Sequence, residues 1–554
     1  MPVPKPTSIV ESEIFEFAKE FDPASAYLKG IGEYVGKLFI PSKRNLERFS
    51  HRVEELRLRA ENRSQLKLLD SLSAANTLAE PQSIAENILS AFFGYLIKEG
   101  IIPSHLRNLT RNAVRAIQAA TAEYADKSFP TGIRVLTLIR CEGLQEILRT
   151  IKKETQDKSL KAEIDGLGQV TRKYASIFKV KGFKSQAFDK LYSLIKKDGW
   201  PLGRERIYSQ AISRLYDYPE TPELIEAKGV KYLDRELPGF QKLTKRLAQE
   251  YGTSAKAEEV SKALRAKRAL KPTEIIPFLK ELRKRAIRAV NKQIVRVNPK
   301  YETKVIETPL YLSGIFPSGG AFFYDMYTNN PKEIFIATTD PRRDPSTAPG
   351  ELLNLLVHEE YGHCVHASNS SSAYGAKPTL VDMIGSPLGA ISEGISFQRE
   401  IEFQRIMEKL DARKGLDRDE RALAQFFEKY GGVHTMTEEY LFYTLMWRII
   451  RFLRIIGDVR INTGKQTLPE FIEWAYRKTG LSRNNIYNQL FPAHEGIGPG
   501  YATTYAITGE AIRELQNKAV RNGKKLVDFN TYACSMGFPA RTIFEERLAA
   551  FSTR

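Results

Sequence analysis

Over the first 296 residues, apolar positions recur at helical spacing almost without interruption, in runs such as ENILSAFFGYLIKEG and the segment around GFKSQAFDKLYSLIKKDG. A period of three to four residues puts apolar side chains on one stripe of a helix, and such stripes must be buried against one another. A mainly α fold is therefore predicted. Breakers such as Asp198-Gly199-Trp200-Pro201 divide the run into helices joined by turns. With 42% apolar residues among 554, the chain can bury large cores and form more than one lobe. The texture changes over residues 304 to 340, where KVIETPLYL, AFFYDMY and EIFIATT are rich in β-branched and aromatic residues. The last two flank Thr328-Asn329-Asn330-Pro331, which predicts a small hairpin or sheet. Helical spacing then returns to the end, broken by the loop EGIGPG just before Tyr501. We divide the chain into a helical region, residues 1 to 300, and a region carrying the chemistry, residues 301 to 554.

The formal charge of +18 raises the question of a polyanionic partner. The densest stretch, Ser261 to Lys300, holds thirteen Lys or Arg against Glu274 and Glu281. Leu279, Leu282, Ala286, Val290 and Ile294 form one apolar stripe along it, so the pattern reads as a packed helix with a basic outer face. No aromatic interleaving or nucleic-acid motif accompanies the charge, and a solvated surface is the expectation rather than a nucleic-acid site. Cys141, Cys364 and Cys534 are too far apart in sequence for a disulfide framework, and reduced thiols are expected. The start, MPVPKPTSIVESEIF, lacks a secretory pattern, and the apolar runs are broken before membrane-spanning length. A cytoplasmic protein without a membrane partner is the expectation.

The chemistry-bearing motif is HEEYGH, inside ELLNLLVHEEYGHCVHAS. Thr347 is placed to cap a helix starting near Pro349, and Asn369-Ser370-Ser371-Ser372 to end it. Two histidines on one helical face can chelate zinc, with the intervening glutamate as general base. His358 and His363, however, are five residues apart, one more than in His-Glu-x-x-His. An α-helix turns about 500° over five residues, leaving the second imidazole roughly 140° from the first. A π-bulge would absorb the extra residue and restore a common face. His366, three residues beyond His363, leaves a different ligand pair open. A catalytic zinc takes three protein ligands, and Glu393 in GAISEGISFQRE is the expected third, with Glu400 and Glu402 as alternatives, surface charges or partners of the ligands. Glu359 would take a proton from the attacking water and pass it to the leaving amine.

From about Tyr301 onward the chain resembles the family labelled domain of unknown function 885, predicted zinc peptidases similar to carboxypeptidase Taq and the helical oligopeptidases. VHEEYGHCVH resembles the family's longer-spaced histidine and glutamate block, with Tyr361 in place of the usual proline. ISEGISF resembles its Glu-Gly pair and supports Glu393 as ligand. PGYATTYAITGEAIRELQNKA and FNTYACSMGFPARTIFEERL resemble its Pro-Gly-x-Ala-x-x-Tyr helix and closing Gly-x-Pro segment. IIGDVRINTGKQT keeps the family's aspartate as Asp458 but carries Asn462 at a histidine position. The resemblance implies a bilobal helical body with a deep cleft and a small sheet beside it, and Tyr505 as hydrogen-bond donor to the oxyanion. His494 in PAHEGIGPG is a second candidate donor.

The expectation is a zinc-dependent peptidase acting on short peptides, of carboxypeptidase or oligopeptidase type. An extended peptide would add to the edge of AFFYDMY or EIFIATT, and Arg454 or Arg460 would meet a terminal carboxylate. Two rivals remain: a metal-dependent hydrolase of other amides or esters, and a non-catalytic basic binding protein.

Overall fold

The computed structural model of the protein describes residues 4–183, 188–309, 318–340, 346–385 and 389–553. Residues 184–187 of the GFKSQAF run and 310–312 of KVIETPLYL lie outside them. The described chain is mainly helical with one three-stranded sheet.

Four helices of the N-terminal region, Pro81–Glu99, Pro103–Tyr124, Thr131–Glu154 and Lys158–Ile177, pack as a bundle around Phe92, Tyr95, Leu109, Ile117, Leu144 and Leu167. The break expected at Asp198 is real. The preceding helix ends there, Gly199 takes φ +72°, and Trp200 is driven into the core. Two further cores cross residue 300. One surrounds the paired helices Pro222–Tyr251 and Val433–Asn462; the other joins the helix Pro272–Gln293 to helices after residue 349.

The strands are β1 (Thr303–Glu307), β2 (Gly319–Tyr324) and β3 (Lys332–Ala337), in the order β1-β3-β2. β2 and β3 form the expected antiparallel hairpin, whereas β1 pairs parallel to β3. EIFIATT is thus the central strand and offers no edge, which corrects that half of the strand-addition expectation. Along β3, Ile334 and Ile336 pack on the N-terminal bundle while Phe335 and Ala337 join the other core. The two-residue alternation of a strand lets one short segment join two helical layers.

The stripe of the basic helix is buried as read. The basic charge of Ser261 to Lys300, which is carried by this helix, the preceding helix Ala257–Arg268 and the residues that follow, is largely matched. Arg265 pairs with Glu351, Arg268 with Glu439, Arg283 with Glu360, Arg285 with Glu281, Lys292 with Asp417 and Asp419, and Arg296 with Asp528. All three cysteines are buried and free, and among the described residues no helix is long and apolar enough to cross a membrane.

Candidate metal centre

The helix Pro349–Leu356 starts where expected, although Thr347 does not cap it with its hydroxyl; its backbone N–H donates instead to Glu351. The helix then widens to π geometry over Val357–Cys364 and returns to α over Val365–Ser371. Hydrogen bonds closing over five residues bring positions i and i+5 to one face, which is the spacing of His358 and His363. Their rings lie 5.0 Å apart at 85°.

The helix Ser392–Ala412 crosses this segment with its first turn. The crossing is close because Gly362 has no side chain: a Cβ there would stand 2.6 Å from the Ser396 Cα. Glu393 is thereby set against both imidazoles. Its Oε2 lies 3.5 Å from His358 Nε2 and 3.5 Å from His363 Nε2, and the three donor atoms fall within 4.8 Å of one another. Ligands about 2.1 Å from a tetrahedral zinc stand roughly 3.4 Å apart, so the triad has the dimensions of a three-ligand site. That Oε2 is also buried without a hydrogen-bond partner. Buried polar atoms left unpaired are costly, and a cation between these three atoms would satisfy all of them.

The surroundings orient the triad. Glu400 Oε1 accepts from His358 Nδ1 at 2.9 Å, which turns Nε2 toward Glu393, and both Glu400 oxygens accept from Arg451 at 2.8 Å. Burial raises the Glu400 pKa, but Arg451 and His358 outweigh it and hold the carboxyl below its usual range. His363 Nδ1 pairs with Ser392 Oγ at 2.9 Å. For His358, burial and Arg451 oppose the proton while Glu393 and Glu400 favour it, and the metal-free imidazole is pushed up to about 9. Such carboxylate support is what metal-bound histidines commonly have.

Several expectations change here. Glu400 and Glu402 are not surface charges. Both are fully buried, with Glu402 held by Arg399, Gln516 and Asn530. His366 takes no part in the triad: its Nε2 pairs with the Gly537 carbonyl at 2.8 Å, its ring packs on Phe538, and burial pushes its pKa down to about 4. Glu359 is partly buried, and among the described residues nothing hydrogen-bonds its carboxylate.

The helix Thr503–Arg521 forms the third wall. Gly394 and Gly509 allow its contact with the Glu393 helix, since a Cβ on Gly509 would stand 3.2 Å from the Gly394 carbonyl. Tyr501, passed over in the sequence, donates to Glu393 Oε1 at 3.0 Å. The only signal for it was its place in the PGYATTY block. Tyr505 lies beside Tyr501, ring centroids 5.9 Å apart, and under the guanidinium groups of Arg451 and Arg454 at 5.5 and 5.7 Å. His494 is 5.7 Å from the Tyr505 ring. Its Nδ1 donates to the Gln489 carbonyl at 3.0 Å, and burial followed by Arg454 lowers its pKa well below the usual value. A neutral imidazole donating through Nδ1 has an accepting Nε2. His494 is thus an acceptor, contrary to its expected role as oxyanion donor.

The glycine-rich loop before Tyr501 is anchored from below. Asp458 accepts from the Gly500 N–H and the Tyr208 hydroxyl, and Arg204 pairs with both Glu495 and Glu80. Asn462 sits within this network, donating to Asp458 and Glu495, and so has a structural role. Burial keeps Asp458 and Glu495 above the usual carboxylate range. Arg460 pairs with Glu226 and stacks on Trp474, so its charge is already engaged.

No family model matches the sequence, and no curated protein matches it. Among solved structures, the fold is similar to that of a provisionally assigned lipoprotein of unknown function from Shewanella oneidensis, with TM-score 0.63 and 15% identity over 97% of this chain and 98% of that one. It is likewise similar to a provisionally assigned lipoprotein from Colwellia psychrerythraea, with TM-score 0.62 and 12% identity over 98% and 99%. At these identities the likeness establishes a shared fold, extending over nearly the full length of all three chains.

Proposed function

We propose that the protein is a zinc-dependent peptidase acting on short peptides. The observation that carries the reading is the unpartnered, buried Glu393 Oε2 held 3.5 Å from two imidazole Nε2 atoms. His358, His363 and Glu393 would hold the ion. Zinc bound there would supply Lewis-acid polarisation of a carbonyl and activation of water.

The remaining chemistry belongs to the chain. Glu359, without a hydrogen-bond partner among the described residues and next to His358, takes the proton of the attacking water and delivers it to the amine as the C–N bond breaks. Tyr505, whose phenol is kept protonated first by burial and then by the nearby Glu393 charge, donates to the oxyanion. Tyr501 fixes the Glu393 carboxylate through Oε1, leaving Oε2 for the metal.

β2 suits an extended substrate. It lies against the π segment, with Phe323 6.5 Å from the His363 ring. Thr338 N–H donates to Ser318 O, so in the antiparallel alternation Gly319, Ala321 and Phe323 direct their backbone groups away from β3. Asp325 and Tyr327, next in that parity, already donate to Leu28 and Lys29. A peptide added alongside would be held through backbone hydrogen bonds, a mode open to varied sequences. The matched charges of the basic helix favour this reading over polyanion binding.

The test is metal analysis of the wild type, His363→Ala and Glu393→Ala after zinc reconstitution, with cleavage of a mixed oligopeptide library. One zinc per chain in the wild type, lost in both variants, and cleavage abolished by Glu359→Gln are expected. A wild type that binds no zinc would refute the proposal. Zinc binding with hydrolysis confined to non-peptide amides or esters would replace it.

A further inference from the structure

We propose that Arg454, with His494, binds the free C-terminus of the substrate, so that the enzyme trims peptides from their carboxyl end; this rests on the peptidase reading above.

Among the described residues, six arginines are buried: Arg204, Arg399, Arg448, Arg451, Arg454 and Arg541. Five have carboxylate partners, in Glu80 and Glu495, Glu402, Glu236 and Glu510, Glu400, and Glu220 and Glu545 respectively. Arg454, 7% exposed, is the exception. Its Nε and Nη2 donate to the backbone and side-chain oxygens of Gln489, and among the described residues Nη1 has no hydrogen bond. A buried guanidinium with neutral partners lacks the countercharge that would offset its desolvation. A carboxylate from a ligand would supply it, in the geometry for which the guanidinium is best suited.

The position is appropriate. Arg454 follows Arg451 by three residues on one helix, and both cover the Tyr505 ring. Arg451 is engaged by Glu400, whereas Arg454 is hydrogen-bonded only to the neutral Gln489 and has no carboxylate partner among the described residues. Tyr505 lies under the Arg454 guanidinium and beside Tyr501, whose hydroxyl donates to Glu393, so direct neighbours link Arg454 to the triad.

A second group completes the recognition. The Gln489 carbonyl that accepts from Arg454 Nε at 3.0 Å also accepts from His494 Nδ1 at 3.0 Å. His494 Nε2 is buried, accepting and unpartnered. One oxygen therefore orients a cation and an acceptor side by side, and a terminal residue presents the matching carboxylate and amide N–H. A side-chain carboxylate shares only the charge.

The experiment compares N-acetylated peptides of one sequence ending in a free acid or a carboxamide. For the zinc-loaded wild type, kcat/KM is expected to favour the acid by about 10- to 100-fold, the usual worth of a charge-assisted hydrogen bond, with products released from the carboxyl end. Arg454→Gln should raise KM for the acid and bring the ratio near one at unchanged zinc content; Arg454→Lys should recover part of it. Calorimetric binding of both peptides to zinc-loaded Glu359→Gln separates the two proposals. Tighter binding of the acid without wild-type cleavage of either peptide upholds the carboxylate site and refutes the peptidase. Equal binding and equal cleavage would overturn the inference, as would a preference for Asp or Glu side chains in amidated peptides.

Discussion

At the residue scale, the candidate triad was legible because metal chelation would require particular side chains at particular spacings. His358, His363 and Glu393 are where that logic put them. Of their supporting partners, Glu400 was among those the sequence offered, whereas Ser392, Arg451 and Tyr501 acquire their roles only by where the helices cross. Two outcomes follow from those contacts. Ser392→Ala removes the partner of His363 Nδ1 without leaving a buried charge, and zinc affinity is expected to fall about tenfold, with the melting temperature of the zinc-free protein unchanged. A chelator competition titration measures it. The second concerns pH. Metal-free His358 keeps its proton up to about pH 9, and zinc must displace it. Apparent zinc affinity should therefore rise with pH by about tenfold per unit below 9 and flatten above it, because one proton is released for each ion bound. A titration between pH 6 and 8 that showed no rise would contradict the protonated state of His358.

At the element scale, the π segment and the three glycines at the helix crossings are the features that make the triad. The five-residue step in HEEYGH required departure from α geometry, and Val357–Cys364 provides it. Gly362 was legible as part of a motif, but its reason is visible only in the packed structure, where the Ser396 backbone occupies the space of a side chain. Gly362→Ala is expected to push the helix Ser392–Ala412 away, costing about 1–3 kcal/mol as overpacking does. Zinc should be lost more readily than fold, since Glu393 moves with that helix. Thermal melting with zinc analysis distinguishes this from general unfolding. The hairpin of β2 and β3 was readable from its turn; the parallel pairing of β1 was not, because a strand's partner is set by long-range packing.

At the scale of the whole molecule, the site is where separate segments meet: the π segment, the Glu393 helix, the Tyr505 helix, the long helix bearing Arg451 and Arg454, and the edge of the sheet. A ligand that binds only this assembled form stabilises it by mass action. At free zinc about 100 times the dissociation constant the gain should be about 2.7 kcal/mol, seen as a raised melting temperature that Glu393→Ala abolishes. A melting temperature indifferent to zinc would mean that the folded protein does not bind it, and a rise that survives Glu393→Ala would place the ion elsewhere. The sequence by itself determined the helical character, the hairpin and the stripe of the basic helix, and pointed to the candidate triad, because these depend on local periodicity or on the chemistry of residue types and spacing. Only the tertiary structure decided that Glu400 supports His358, that His494 accepts rather than donates, that EIFIATT is a central strand, and that Arg454 alone among the buried arginines described lacks a carboxylate. Those properties depend on which distant groups share a buried environment, and no spacing along the chain encodes that.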